Sequence, residues 1–98
     1  MYIHHVALTY ASRTDADRFC KGILGLSEIK HFSLSEDLVR KIFDVDQGCE
    51  MITYERNQLR IEVFLGADLP GKIDGMSHVC LHLGDKQPVL ERCRQAGL

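Results

Sequence analysis

Three stretches of the chain alternate between apolar and polar residues in the two-residue rhythm of a half-buried strand: Ile3-His4-His5-Val6-Ala7-Leu8, Leu59-Arg60-Ile61-Glu62-Val63-Phe64-Leu65 and Ser77-His78-Val79-Cys80-Leu81-His82-Leu83. Successive strand side chains point to opposite faces. Val6 and Leu8 are therefore set apart from His5 and Ala7, Ile61 and Val63 from Arg60, Glu62 and Phe64, and Val79 and Leu81 from His78, Cys80 and His82. Each strand has an oily back and a partly polar front, and His4 falls on the oily side with Val6.

Between these strands the rhythm changes. Ala16, Phe19, Cys20, Ile23 and Leu24 follow helical spacing, with Thr14 to cap the start and Gly25 to end the helix. A strand is expected over 28–34. Ser35 then opens a short helix over 36–43, its acidic residues Glu36 and Asp37 in the first turn and its basic Arg40 and Lys41 near the end, as the helix dipole favours. Extended segments at 49–54 and 59–65, joined by Glu55-Arg56-Asn57-Gln58, make a hairpin. Pro70 and the glycines 71 and 75 interrupt any regular pattern over 67–75, which reads as a loop or linker. A strand at 76–83 and a helix over 85–96, with Pro88 in its first turn, complete the order β-α-β-(short α)-β-β, loop, β-α. The class is α+β.

A faint internal repeat accompanies this order. His-Val stands in a strand at 5–6 and again at 78–79, and each of these strands is followed by a helix that closes near a Gly-Leu pair, at 25–26 and 97–98.

At 98 residues the chain is a single domain, and a chain so short buries a smaller share of its surface than a larger one. Hydrophobic residues at 45%, charged residues at 27%, a net charge of −2 and a pI near 6.2 describe an ordinary globular protein without the basic footprint that nucleic acid requires. No basic leader and no membrane-length apolar run is seen, so neither secretion nor membrane insertion is expected, and the protein is placed in the cytoplasm. Cys20, Cys49, Cys80 and Cys93 are too far apart for a C-x-x-C pair or zinc-finger spacing and read as free thiols. Cys20 and Cys93 are assigned to packing.

Taken together, "YIHHVAL", a helix ending in "GILGL", "RIEVFL" on a later strand and "GMSHVCLHL" after a loop resemble the vicinal oxygen chelate superfamily, which includes glyoxalase I, the extradiol dioxygenases and the bleomycin-resistance proteins. The likeness spans the chain. It implies a βαβββ glyoxalase-like module over 1–66 followed by a partial second module (βα) over 76–98. It also implies a divalent metal held by His5, Glu62 and His78. A fourth ligand, which the family commonly takes from the last strand of the second module, has no counterpart before Leu98 and would come from water or another chain.

Neutral imidazole and carboxylate suit Zn, Ni, Co, Mn or Fe, and three ligands leave coordination positions open, as a catalytic site requires. Arg60 and His82, each two residues from a ligand on the same face, are candidates for binding an anionic substrate group, and Phe64 for lining the site. The activity implied is that of a lyase or isomerase that moves a proton beside a metal-coordinated oxygen of a small oxygen-rich carbonyl compound, with Glu62 as the base. The alternative is a metal-free small-molecule-binding or drug-sequestering protein of the same superfamily. A sheet edge left open by the partial second module makes a homodimer the expected assembly.

Overall fold

A computed structural model of the chain describes residues 3–66 and 83–98, without the side chain of Phe43. The expected strand at 76–83, with His78, Cys80 and His82, lies outside the described residues but for Leu83. Elsewhere the order of elements is as expected: β1 (Val6–Tyr10), α1 (Arg13–Asp17) running on into a π-helical segment (Arg18–Ile23), β2 (Ser27–Leu34), α2 (Glu36–Phe43), β3 (Cys49–Arg56), β4 (Leu59–Leu65) and α3 (Gln87–Gln95).

The first helix starts two residues earlier than Thr14 would allow. Ser12 is its cap, in extended conformation with its Oγ accepting from the Asp15 backbone N–H at 3.2 Å. The helix then widens: Leu24 N–H reaches back five residues to Phe19 O at 3.0 Å. Gly25, at φ +70°, ends it in the left-handed conformation that glycine alone adopts freely, and Leu26 N–H closes onto Cys20 O at 2.9 Å. In α2, Ser35 caps as expected, with Leu38 N–H donating to its Oγ at 3.3 Å.

The four strands form one sheet in the order β1-β4-β3-β2. Its pairings differ in kind. β1 runs parallel to β4, with Ala7 opposite Glu62 and Thr9 opposite Phe64, whereas β4 and β3 form an antiparallel hairpin. Pairing in the hairpin continues through Glu55↔Arg60 and Arg56↔Leu59, so the connection is the two-residue turn Asn57-Gln58 rather than four residues. Asn57 takes φ +57°, which its short polar side chain tolerates better than most.

Alternation gives this sheet two faces. One is covered by the first helix: Ala16, Cys20 and Leu26 pack against Ile52, Tyr54, Ile61 and Val63, joined at the margin by Leu8 and Tyr10 of β1. On the other, α2 lays Val39 against Leu34, Cys49, Met51 and Phe64. Because α2 covers one end of that second face, Glu62, two residues along from Phe64, lies toward the uncovered part.

Candidate functional site

Glu62 is flanked in sequence by Ile61 and Val63, both fully buried on the helix-covered side, which aims its own side chain to the other face. Its cross-strand neighbours there are Ala7 on β1 and Thr53 on β3. His5, immediately before β1, reaches the same face. Its Nε2 stands 3.2 Å from Glu62 Oε2, with the side chains 38% and 20% exposed respectively. An imidazole nitrogen and a carboxylate oxygen thus meet at an open surface, where a third party can reach both.

His4 lies where the alternation argument did not put it. The ladder between β1 and β4 begins only at Val6, so His4 and His5 precede the regular strand and are not bound to opposite faces. Their rings meet edge to face at a centroid distance of 5.2 Å, with Nδ1 to Nδ1 at 2.9 Å. That contact requires one nitrogen to carry a hydrogen and the other a lone pair. A hydrogen on His5 Nε2 donates to Glu62 and leaves Nδ1 to accept from His4, and a cation held between Nε2 and the carboxylate would take the place of that hydrogen.

The other sequence candidates take definite positions. The Arg60 guanidinium is paired with Glu55 Oε2 at 3.0 Å, so Glu55 is an anchor for Arg60 rather than a solvated charge. Phe64 is only 8% exposed and belongs to the apolar cluster under α2. His78 and His82 lie outside the described residues, and among the described residues no three His, Cys, Asp or Glu side chains gather around one point.

His5 and Glu62 suit a shared cation by a simple test. Two donors each about 2.1 Å from one ion, at the angles of octahedral or tetrahedral coordination, lie about 3.0–3.4 Å apart. The observed 3.2 Å falls in that interval.

A second polar cluster, on the helix-covered face, was not anticipated. Asp17 reads in the sequence as a water-facing helix residue, yet its Oδ1 accepts from the hydroxyl of Tyr54 at 2.6 Å. Lys21 approaches the same carboxylate at 3.6 Å and Arg13 at 3.4 Å, while both cations also contact Glu28. His31 then links Glu28 to Glu50. The hydrogen bond from Tyr54, aided by Lys21 and Arg13, holds the Asp17 carboxyl below its usual range against the opposing effect of burial. Burial, and next the hydrogen bond to Asp17, push the Tyr54 phenol far above its own. The signal available in the sequence was a tyrosine among apolar residues of a central strand, which needs a partner for its hydroxyl.

No protein-family model matches the chain, and no curated protein matches it in sequence. In three dimensions it is similar to a glyoxalase family protein from Bacillus cereus, with a TM-score of 0.73 and 16% identity over 99% of this chain and 72% of that one. It is also similar to the glyoxalase family protein from Enterococcus faecalis, with a TM-score of 0.66 and 14% identity over 98% of this chain and 72% of that one. The chain therefore has an α+β, glyoxalase-like fold, in agreement with the fold that the resemblance read from its motifs implies. Among the described residues no helix is long and apolar enough to cross a membrane.

Proposed function

We propose that the protein is a divalent-metal-dependent glyoxalase-like enzyme acting on a small oxygen-rich carbonyl compound, with His5, Glu62 and His78 as the metal ligands. The observation that carries this reading is the 3.2 Å approach of His5 Nε2, just before β1, to Glu62 Oε2 on the neighbouring parallel strand of a glyoxalase-like sheet. Zn, Ni, Co, Mn and Fe all accept this mixed nitrogen and oxygen donor set. When bound, such a cation supplies Lewis acidity toward a substrate oxygen.

The chain's own residues account for the rest. His4 orients the His5 ring through the Nδ1 contact, so that Nε2 faces the carboxylate. Glu62 is the base: a carboxylate open on one side can take a proton from carbon and return it to a neighbouring atom. Arg60, fixed by Glu55, sits one pleat from Glu62 on the same face and offers its remaining N–H donors to an anionic group of the substrate. α2 and the cluster around Phe64 exclude water from one end of the face.

Metal analysis of the purified protein, followed by calorimetric titration of the apo form with Zn, Ni, Co and Mn, tests this. Stoichiometric uptake that depends on Glu62 and His78, together with turnover of 2-oxo or 2-hydroxy carbonyl compounds by the loaded protein, is the expected result. A protein that binds no divalent cation would be a metal-free binding protein instead, and the proposal would fail.

A further inference from the structure

On the helix-covered side of the sheet, away from Glu62, a groove of about 500 Å3 opens between the end of the first helix, the β3–β4 turn and α3. Its apolar lining comes from Leu24 and Leu26 after the helix, Leu59 at the start of β4 and Val89 on α3. Two guanidiniums stand over it. Arg56 Nη1 donates to Gly25 O at 3.4 Å, and Arg92 Nε donates to Ile23 O at 2.9 Å.

Those two bonds place both cations at the carbonyl end of one helix, three residues spanning their anchor points. Each guanidinium has five N–H donors and commits one of them there. Among the described residues neither is paired with a carboxylate, whereas Arg13, Arg40, Arg60 and Arg94 all are. Among the described residues no Asp or Glu lines the groove. Apolar walls with two cations in the lining complement a ligand that has a hydrocarbon body and a single anionic head, and the volume is that of a small-molecule site.

We propose that this groove binds an amphipathic carboxylate, its head between Arg56 and Arg92 and its chain along Leu24, Leu26, Leu59 and Val89. The contact between the Arg56 guanidinium and Gly25 fixes the geometry: a Cβ at position 25 would approach Arg56 Nη1 to 3.1 Å, so glycine lets the cation lie close over the helix end.

The test is a titration of isotopically labelled full-length chain with decanoate, kept below its micelle-forming concentration, with decanol and acetate as the uncharged and tail-less probes. Saturable decanoate binding with shifts confined to Leu24, Leu26, Leu59, Val89 and their neighbours is expected, with decanol and acetate each at least about tenfold weaker. Arg56→Gln should weaken decanoate by about tenfold while leaving the rest of the spectrum unchanged. Arg92→Gln removes a bond to the helix end as well, so should it unfold, Arg56→Gln and the two control ligands still decide. The proposal is overturned if decanol binds as tightly as decanoate, if Arg56→Gln binds unchanged, if the shifts map to the face of Glu62, or if no saturation is reached.

Discussion

The Tyr54 hydroxyl donates to Asp17 Oδ1 at 2.6 Å from a ring with no exposed surface, tying the first helix to the central strand β3. Tyr54→Phe deletes the donor and leaves the carboxylate to Lys21 and Arg13. A loss of about 1.5–2 kcal/mol is expected in urea denaturation near neutral pH, at the low end for a bond to a charged group because two cations remain.

The same pair sets an acid limit. The folded Asp17 carboxyl lies below its ordinary value of 3.8, so its contribution to stability is fully present above that value and is lost as pH falls through the lower folded one. Acid unfolding followed by circular dichroism should therefore shift to higher pH in Asp17→Asn and in Tyr54→Phe. An acid midpoint that stays in place in both variants would show that other carboxylates govern it.

At the proposed metal site, Glu62→Gln keeps the shape and removes the charge, and should weaken divalent-cation binding by roughly a hundredfold or more; His5→Ala and His78→Ala should do likewise. His4→Ala acts through the ring of His5 and should cost only about tenfold in affinity, as the loss of an orienting partner does. Removal of His82 should alter rate or substrate preference with metal content nearly intact. Calorimetry on the apo variants separates these outcomes, and equal losses for His4→Ala and His5→Ala would make His4 a ligand in its own right.

The thiols should differ in reactivity. Burial, and then the charge of Asp17, push Cys20 up to about 11, and the residue is inaccessible. At pH 8 only about one molecule in a thousand carries its thiolate. Cys93 on α3 is only partly buried and should be alkylated before the buried Cys20 and Cys49. Peptide mapping after timed iodoacetamide treatment of the native protein reads the order directly; early labelling of Cys20 would mean that the first helix opens readily from the sheet.

Ile61 and Leu90 should differ in how much their packing contributes. Ile61 is fully buried next to Glu62, and Ile61→Ala should cost about 2–4 kcal/mol. Leu90 on α3 is 40% exposed, and Leu90→Ala should cost less than about 1 kcal/mol. Urea denaturation of both variants gives the comparison.

Much of this architecture is local and was legible as such. The period-two runs around Val6 and Ile61, the Ser35 cap and the glycine at 25 depend on residues within a turn or a strand of one another. Alternation along β4 was enough to put Glu62 on one face and to hide Ile61 and Val63 on the other. The bounds moved where several nearby residues could serve: Ser12 displaced Thr14 as the cap, and β3 ran on to Arg56 because its partner strand continued to offer hydrogen bonds.

What the sequence by itself could not decide was adjacency. That β1 lies against β4, parallel and with Ala7 beside Glu62, depends on which strand edge remains free once the hairpin has formed and the first helix has covered one face. Only that pairing turns two residues 57 positions apart, read off as His5 and Glu62, into a 3.2 Å contact. The Tyr54–Asp17 bond, the Arg60–Glu55 pair and the groove under Arg56 and Arg92 arise in the same way. Side-chain polarity and spacing specify which face a residue takes, because that is a property of one strand or helix; its partners are chosen by the packing of several elements at once, where burial makes an unpaired charge or hydroxyl costly and so selects among the contacts within reach.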